Sequence, residues 1–233
     1  MSPRFRPAAE RGRFTDPGLS GVAAFSHAGA FDRDWLGFGA LRVLNRLELA
    51  PGQALPPARR ANMEILSLVL DGQFRSRSQA GDSGPLAAGQ WHRLAAGAGV
   101  DAIEENPDPQ RPLRLLQLWV QPRHSNARPL AAVAAPAPGD ALVAAPPGHR
   151  PAPVFDWDVA ATLQRRVLAP GGSLPLPAGA CWIEALAGEA SLGGGLLRAG
   201  DGVAVAGGES RALVSSFGAD LLLLELPATA ANG

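Results

Sequence analysis

An internal duplication is the feature that most constrains how this chain can fold. The segment RLELAPGQALP at residues 46–56 returns as RRVLAPGGSLP at residues 165–175. A chain of 233 residues is long enough for each copy to belong to a module with its own modest hydrophobic core. We therefore expect two similar modules in tandem.

Each copy is followed by the same series of strand and turn signals. An apolar run ends at a glycine, a turn of the form Leu-x-Ala-Gly follows, and a second apolar run closes the module. These segments are 65–72, 86–89 and 113–120 in the first copy, and 183–188, 197–200 and 219–226 in the second. The 28 glycines and 22 prolines break helices, and no stretch has a long apolar stripe at helical spacing. The sequence thus predicts an all-β fold with little helix.

Changes in composition along the chain predict where the modules begin and end. Residues 1–18 carry arginines among prolines and alanines and are expected to form a flexible tail. A first domain is expected over residues 19–128 and a second over 129–233, which includes a connection rich in proline and alanine between 124 and 153. Two apolar pieces of this connection, 130–135 and 142–145, could form edge strands on which the second module starts.

Charge and cysteine content limit the kinds of partner to be expected. The chain has 21 basic and 21 acidic residues, so no net field favours nucleic acid or an anionic membrane. The single cysteine, Cys181, has no partner for an internal disulfide, and its expected role is that of a buried strand residue. No apolar run resembles a signal peptide or a membrane span, so we expect a cytoplasmic protein. We also expect a monomer, and its partner is expected to be an unknown small molecule or protein.

One motif suggests a family. Residues 97–106, GAGVDAIEEN, resemble the second cupin signature, Gly-x-Gly-x-x-His-x-x-x-Asn, with Ala102 at the position of the histidine. Upstream, GFGALRV at 37–43 and MEI at 63–65 resemble stretches of the pirin branch of the cupin superfamily. The resemblance extends from about residue 21 to the last apolar run. It implies two tandem cupin β-barrels of jelly-roll type that face one another, that is, a bicupin.

The resemblance also implies where a metal would be held. Pirin-like proteins usually bind iron or another divalent metal in the N-terminal barrel on three histidines and one glutamate. The corresponding positions here are Ala58, Arg60, Ala102 and Glu104. Neither a methyl group nor a guanidinium can donate a lone pair to a metal ion, so only the glutamate remains as a ligand. We therefore expect no metal cofactor and regard these positions as a vestigial site.

Other residues near this site leave alternatives open. Glu64, His92 and Glu104 could form a substitute site for iron or another divalent metal, although a rim histidine and a hydrogen-bonded strand glutamate are the simpler interpretation. The guanidinium of Arg60, or that of Arg59, is expected either to pair with one of these glutamates or to point into solvent.

Two functions follow from these alternatives. The first is a non-enzymatic pirin-like protein that binds a small molecule near Arg60 or a protein partner, with a regulatory role among the possibilities. The second is an oxidoreductase of the quercetin 2,3-dioxygenase type with an atypical metal site.

Overall fold

The structure, a computed structural model, describes residues 2–208 and 211–227 and is almost entirely β. Its one helical element among those residues is a short 3-10 turn, Ala8–Glu10. The strands are β1 Arg4–Arg6, β2 Gly12–Asp16, β3 Leu19–Ala23, β4 Leu41–Leu49, β5 Ala58–Arg60, β6 Glu64–Asp71, β7 Gln73–Ser78, β8 Gly81–Asp82, β9 Leu86–Ala87, β10 Trp91–Ala95, β11 Val100–Glu105, β12 Leu113–Val120, β13 Leu130–Ala134, β14 Ala141–Ala145, β15 Phe155–Asp156, β16 Thr162–Leu168, β17 Ser173–Pro175, β18 Cys181–Leu192, β19 Gly195–Arg198, β20 Gly202–Val205, β21 Ala212–Val214 and β22 Ala219–Glu225. The prediction of an all-β fold is confirmed.

The chain divides into two compact units. The first unit comprises Gly12–Pro138 and Trp157–Val159, and the second comprises Met1–Arg11, Gly139–Asp156 and Ala160–Gly233, as far as their residues are described. Each unit thus takes a short segment from the other half of the sequence.

The first unit is built from two sheets. One has the strand order β13-β10-β6-β12-β4-β3-β2, and the other has the order β5-β11-β7-β8 with β9 added to β7. Side chains alternate along each strand, so one face of each sheet points to the interior of the unit. Two apolar clusters join the sheets: Leu47, Leu113 and Phe74 belong to one, and Ile65 and Ala102 to the other.

The second unit is organised around a sheet with the order β1-β20-β18-β22-β16-β14-β15. The long strand β18 pairs with β20 and β22 along its first part and with β19 and β21 along its second. Its interior is filled by aliphatic residues and by Cys181. Burial raises the pKa of this thiol to about 12, which agrees with the expected role of a buried strand cysteine.

Two boundaries differ from those expected from the sequence. Residues 1–18 were expected to form a flexible tail, but β1 pairs with β20 of the second unit and β2 pairs with β3 of the first. The first domain was expected to end at 128, but β13 adds to β10 and extends that unit to Pro138. The pairings of β1 with β20 and of β13 with β10 join strands that are distant in sequence, which composition does not record. The pairing of β2 with β3 is local, and the proline- and arginine-rich composition of residues 1–18 did not indicate it.

The part of the chain that the structure describes contains no helix that could span a membrane.

Candidate functional site

Strands β5 and β11 bring the four positions implied by the family pattern to one face of a sheet. They pair antiparallel, with Ala58 opposite Ala102 and Arg60 opposite Val100. Residues directly opposite each other share a face, and so do residues two apart along a strand. Arg60 and Glu104 therefore lie on the same face as the two alanines. Val100, Ala102, Arg60 and Glu104 are buried on this face, whereas Ala58, at the start of the edge strand β5, is exposed.

The glycines of the signature shape the turn that precedes β11. Gly97 has a φ of 50°, and Gly99 has a φ of 128°. A Cβ atom at Gly97 would lie 2.1 Å from the carbonyl oxygen of Ala127, so the backbone there has no space for a side chain. The asparagine that closes the signature has a structural role as well, because Asn106 Nδ2 donates to the carbonyl oxygen of Arg111 at 2.8 Å.

At the centre of the site is a buried ion pair. Arg60 Nη2 donates to Glu104 Oε2 at 2.7 Å, and the two side chains are 4% and 0% exposed. Arg60 also donates through Nη1 to the carbonyl oxygen of Ala58 at 3.2 Å, and its guanidinium carbon lies 5.5 Å from the centre of the Trp119 ring. The arginine is thus held by a carboxylate, a carbonyl and an aromatic face.

A glutamine connects this ion pair to the opposite sheet. Gln117 Nε2 lies 3.3 Å from Glu104 Oε1 and 3.1 Å from Ser67 Oγ. Trp119 Nε1 donates to Gln117 Oε1 at 2.8 Å, which fixes the orientation of the amide. Burial raises the pKa of Glu104, whereas the charge of Arg60 and the hydrogen bond from Gln117 act in the opposite direction.

These side chains do not match the donor set that a divalent metal needs. Ala58 and Ala102 present methyl groups, Arg60 presents a cation, and one oxygen of Glu104 already accepts from that cation. Within residues 2–208 and 211–227, no group of three or more histidine, cysteine, aspartate or glutamate side chains is placed to hold a metal ion.

The suggested substitute site is divided between two faces of a sheet. Glu64 accepts two hydrogen bonds from Arg93, at 2.9 and 2.8 Å, and lies on the face of β6 opposite to that of Ser67. His92 is directly opposite Ser67 and so points to the interior, where its ring lies 5.7 Å from that of Phe74. Of Glu64, His92 and Glu104, only the last two share the interior.

Arg59, the other arginine of interest, lies outside this interior. It is on the outer face of β5, where its Nη1 lies 3.3 Å from Asp101 Oδ2, and the two side chains are 61% and 63% exposed. The structure therefore assigns the two arginines to different places, with Arg60 in the interior and Arg59 at the surface.

Three polar residues of the interior, Ser67, Gln117 and Asn45, were not among the expected site residues. Register places them in one row with His92 across β10, β6, β12 and β4, and all four are buried. A signal for two of them is present in the sequence, because Ser67 and Gln117 each interrupt an apolar run. A single polar residue within such a run indicates a buried hydrogen-bonding site.

Comparison with known proteins gives several relatives. The model of the Pirin family matches residues 5–120. The chain is 33% identical over 124 residues to a quercetin 2,3-dioxygenase of Escherichia coli (strain K12), a match that covers 53% of this chain and 54% of that protein. It is 34% identical over 125 residues to the pirin-like protein YhaK of the same organism, which covers 54% of each chain. The chain thus spans about half the length of these curated relatives.

Solved structures resemble the fold over nearly its whole length. The crystal structure of YhhW from Escherichia coli superposes with a TM-score of 0.90 at 25% identity and covers 98% of this chain and 99% of that one. A structure of the bacterial pirin YhhW in complex with nickel(II) gives the same TM-score and identity, and covers 98% of this chain and 100% of that one. The bicupin fold expected from the sequence is confirmed.

Proposed function

Because the chain belongs to the pirin family and yet has an arginine paired with the one glutamate left at the metal position, we propose that it is a metal-independent, non-enzymatic binding or regulatory protein. The observation that carries this proposal is the distance of 2.7 Å between Arg60 Nη2 and Glu104 Oε2. The carboxylate that would help to hold a divalent ion already has a fixed cationic partner.

An arginine can replace the charge of a metal ion but not its chemistry. A guanidinium carries a single positive charge, has no exchangeable coordination position and accepts no lone pair from a substrate oxygen. A metal polarises a bound oxygen and orients the reacting groups, and neither action is available to Arg60. No step of flavonol oxidation can therefore be assigned to the side chains at these four positions.

The burial of Arg60 favours a structural role for the interior. Its side chain is 4% exposed and contacts Glu104, Ala58 and Trp119, so a ligand has little access to the guanidinium. Binding of a small molecule or a protein partner is accordingly assigned to the surface. The expectations of a cytoplasmic monomer without affinity for nucleic acid are part of the same proposal.

Metal analysis of the purified protein tests the proposal. Protein produced in medium with iron, nickel, copper, manganese and zinc should contain only substoichiometric amounts of each, because Glu104 is paired with Arg60 and the described residues bring no three ligating side chains together. Glu104→Gln, the matched variant, should have the same metal content. A stoichiometric metal that is lost in Glu104→Gln would contradict the proposal and favour the dioxygenase alternative.

An activity assay addresses that alternative directly. With quercetin and dioxygen, turnover should not exceed that of a control with buffer and free metal. A variant with Ala58→His, Arg60→His and Ala102→His should gain metal binding, because it removes the competing cation and adds three imidazole ligands to Glu104. Steady turnover by the unmodified protein above that of the control would contradict the proposal of a metal-independent, non-enzymatic protein.

A further inference from the structure

We propose that strand β13 binds the C-terminal segment of a partner protein as an additional strand of the seven-stranded sheet. β13, Leu130–Ala134, lies at one end of this sheet, and β10 is its one strand partner in the part of the chain that the structure describes. The inference rests on the proposed function, since it names the kind of protein partner that the surface binds.

The composition of β13 distinguishes it from the other edge strands. A strand edge exposes backbone N–H and C=O groups that can pair with another chain, and proteins usually protect such an edge by charge, proline or short length. Among the other edge strands that the structure describes, β1, β2, β5 and β19 carry arginine, β17 contains proline, and β8, β9 and β15 have two residues each. β13 has the sequence LAAVA, and its register with β10 has no bulge. It is therefore an unprotected edge.

Apolar side chains of β13 are accessible on both faces of the sheet. Leu130 is 52% exposed and Val133 is 49% exposed. Leu130 is opposite Ala95 and Val133 is opposite His92, so the two side chains lie on opposite faces. The three alanines of the strand are partly exposed and leave room beside them for larger side chains. An added strand with apolar, β-branched residues would cover both faces while its backbone pairs with the edge.

A cavity at the beginning of β13 provides a place for the end of the added strand. It has a volume of about 680 Å³ and is lined by Gln79, Ala80, Arg128, Pro129 and Leu130. Arg128 is exposed, and the described residues provide no ion-pair partner for it. A guanidinium can donate two parallel hydrogen bonds to a carboxylate, and the amide of Gln79 can donate another. The cavity thus suits a carboxylate.

Strand direction brings the C-terminus of the partner segment to this cavity. β13 pairs antiparallel with β10, and antiparallel pairing is slightly more stable per residue than parallel pairing. In an antiparallel ladder, the C-terminal end of the added strand lies beside the N-terminal end of β13, which Arg128 precedes by two residues. Residues 135–138, APAP, follow the other end of β13 and carry no charge. The charge of Arg128 therefore favours a segment that ends in a free α-carboxylate.

Titration of the whole protein with synthetic peptides tests this inference. The probe is the acetylated peptide STVTVSV with a free α-carboxylate, and its control is the same peptide with a C-terminal amide. The first peptide should bind saturably and shift the backbone amide signals of residues 130–134 in NMR spectra. The amidated peptide should bind about tenfold more weakly, because it lacks the charge that pairs with Arg128. Equal affinities, no saturable binding, or shifts confined to other strands would overturn the proposal.

Variants separate the contribution of the charge from that of the strand. Arg128→Gln should weaken binding of the carboxylate peptide by about tenfold and leave that of the amidated peptide almost unchanged. The matched control, Arg33→Gln, removes the same charge from an exposed position outside the cavity and should change neither affinity. Leu130→Ser should weaken the binding of both peptides by about fivefold, because it removes an apolar contact. An equal loss in Arg33→Gln and Arg128→Gln would refute the site, and thermal unfolding verifies that each variant is folded.

Sedimentation of the protein without peptide distinguishes this partner from a second copy of the chain. A stable dimer buries more than about 1,000 Å², which pairing over the five residues of β13 does not supply, so the protein should sediment as a monomer. A dimer that dissociates in Leu130→Lys would make a second copy the occupant and would overturn the proposal. Metal content is measured separately. A stoichiometric metal would contradict the proposed function, whereas absence of peptide binding with substoichiometric metal would contradict this inference alone.

Discussion

The two units have related sequences and similar strands, but their interiors differ in chemistry. In the first unit, Arg60 and Glu104 form an ion pair inside the barrel, Gln117 joins Glu104 to Ser67, and His92 is buried on the same interior face. In the second, the interior cluster is aliphatic apart from Cys181. The second unit has its own buried ion pair, but Glu184 alternates with Ile183 and Ala185 and so lies on the opposite face of the sheet. The duplication thus preserved the strands, while the ion pair buried on the interior face belongs to the first unit; on the corresponding face of the second, Gln164 and Arg166 lie opposite Leu223 and Leu221 and are partly exposed.

The largest effect is expected from the ion pair of the second unit. Arg11 donates to both oxygens of Glu184, at 2.9 and 2.7 Å, and both side chains are 0% exposed. Arg11→Ala removes the two charge-assisted hydrogen bonds that this buried carboxylate accepts from the guanidinium and should lower the free energy of unfolding by about 3–5 kcal/mol. Urea unfolding measures this loss, and reaction of Cys181 with a thiol reagent reports on the second unit specifically.

The control for this variant is an exposed ion pair of the same unit. Arg198 Nε lies 3.1 Å from Glu189 Oε2, and its side chain is 70% exposed. Arg198→Ala should cost about 0–1 kcal/mol. If Arg11→Ala lowered the free energy of unfolding no more than Arg198→Ala does, the buried pair would contribute no more to stability than an exposed one. The expected difference between the buried pairs of the two units would then be wrong.

Acid should affect the first unit through its buried histidine. Burial lowers the pKa of His92 to about 4, whereas an unfolded histidine has a pKa of about 6.5. Between these values the unfolded chain binds a proton that folded His92 does not, so stability falls as the pH drops from about 6.5 to 4. The full loss is about 3 kcal/mol, and it levels off at lower pH.

His92→Leu isolates this contribution. Urea unfolding at several pH values should show a shallower loss of stability towards pH 4 in the variant than in the unmodified protein. His149→Gln, a change to a partly exposed histidine of the second unit, is the matched control. Equal slopes for the unmodified protein and His92→Leu would show that His92 can become protonated without unfolding, and that the first interior is accessible to water.

A smaller effect is expected from the ion pair of the first unit. Glu104→Gln removes the counter-charge of Arg60 but keeps a hydrogen-bonding group of similar shape, so it should lower stability by about 1–3 kcal/mol. Asp101→Asn breaks the exposed pair with Arg59 on the neighbouring strand and should cost about 0–1 kcal/mol. Thermal and urea unfolding measure the stability of both variants. A larger loss of stability in Asp101→Asn than in Glu104→Gln would contradict the expectation that the interior ion pair contributes more than the exposed one.

Local patterns in the sequence predicted much of the fold. Strand β12 has the predicted bounds of Leu113–Val120, and β4 and β6 lie where alternating or continuous apolar residues indicated. The Arg60 and Glu104 pair was among the expected alternatives because the family pattern placed both residues at one site. In each of these cases the information lies within a short segment or a known motif.

The features that were not predicted depend on distant partners. Arg11 and Glu184 are 173 residues apart, and no local property of residues 1–18 indicates that a strand and a buried arginine lie there. Asn45 and Gln117 become part of one polar row only once the register of β4 and β12 is known. The separation of Glu64 from His92 likewise depends on which face of its strand each residue occupies, and the sequence does not define those faces for an apolar run.

The pairing of β1 has a consequence for biosynthesis. Arg4 pairs with Ala204, so the partner of this strand is translated after almost all the rest of the chain. The strands of the first unit are complete by Ala134, and that unit can fold while the ribosome is still adding the second. The second unit must wait until β20 has left the ribosomal tunnel. Throughout this interval Phe5 and the unpaired edge of its strand are exposed to chaperones and proteases in the cell.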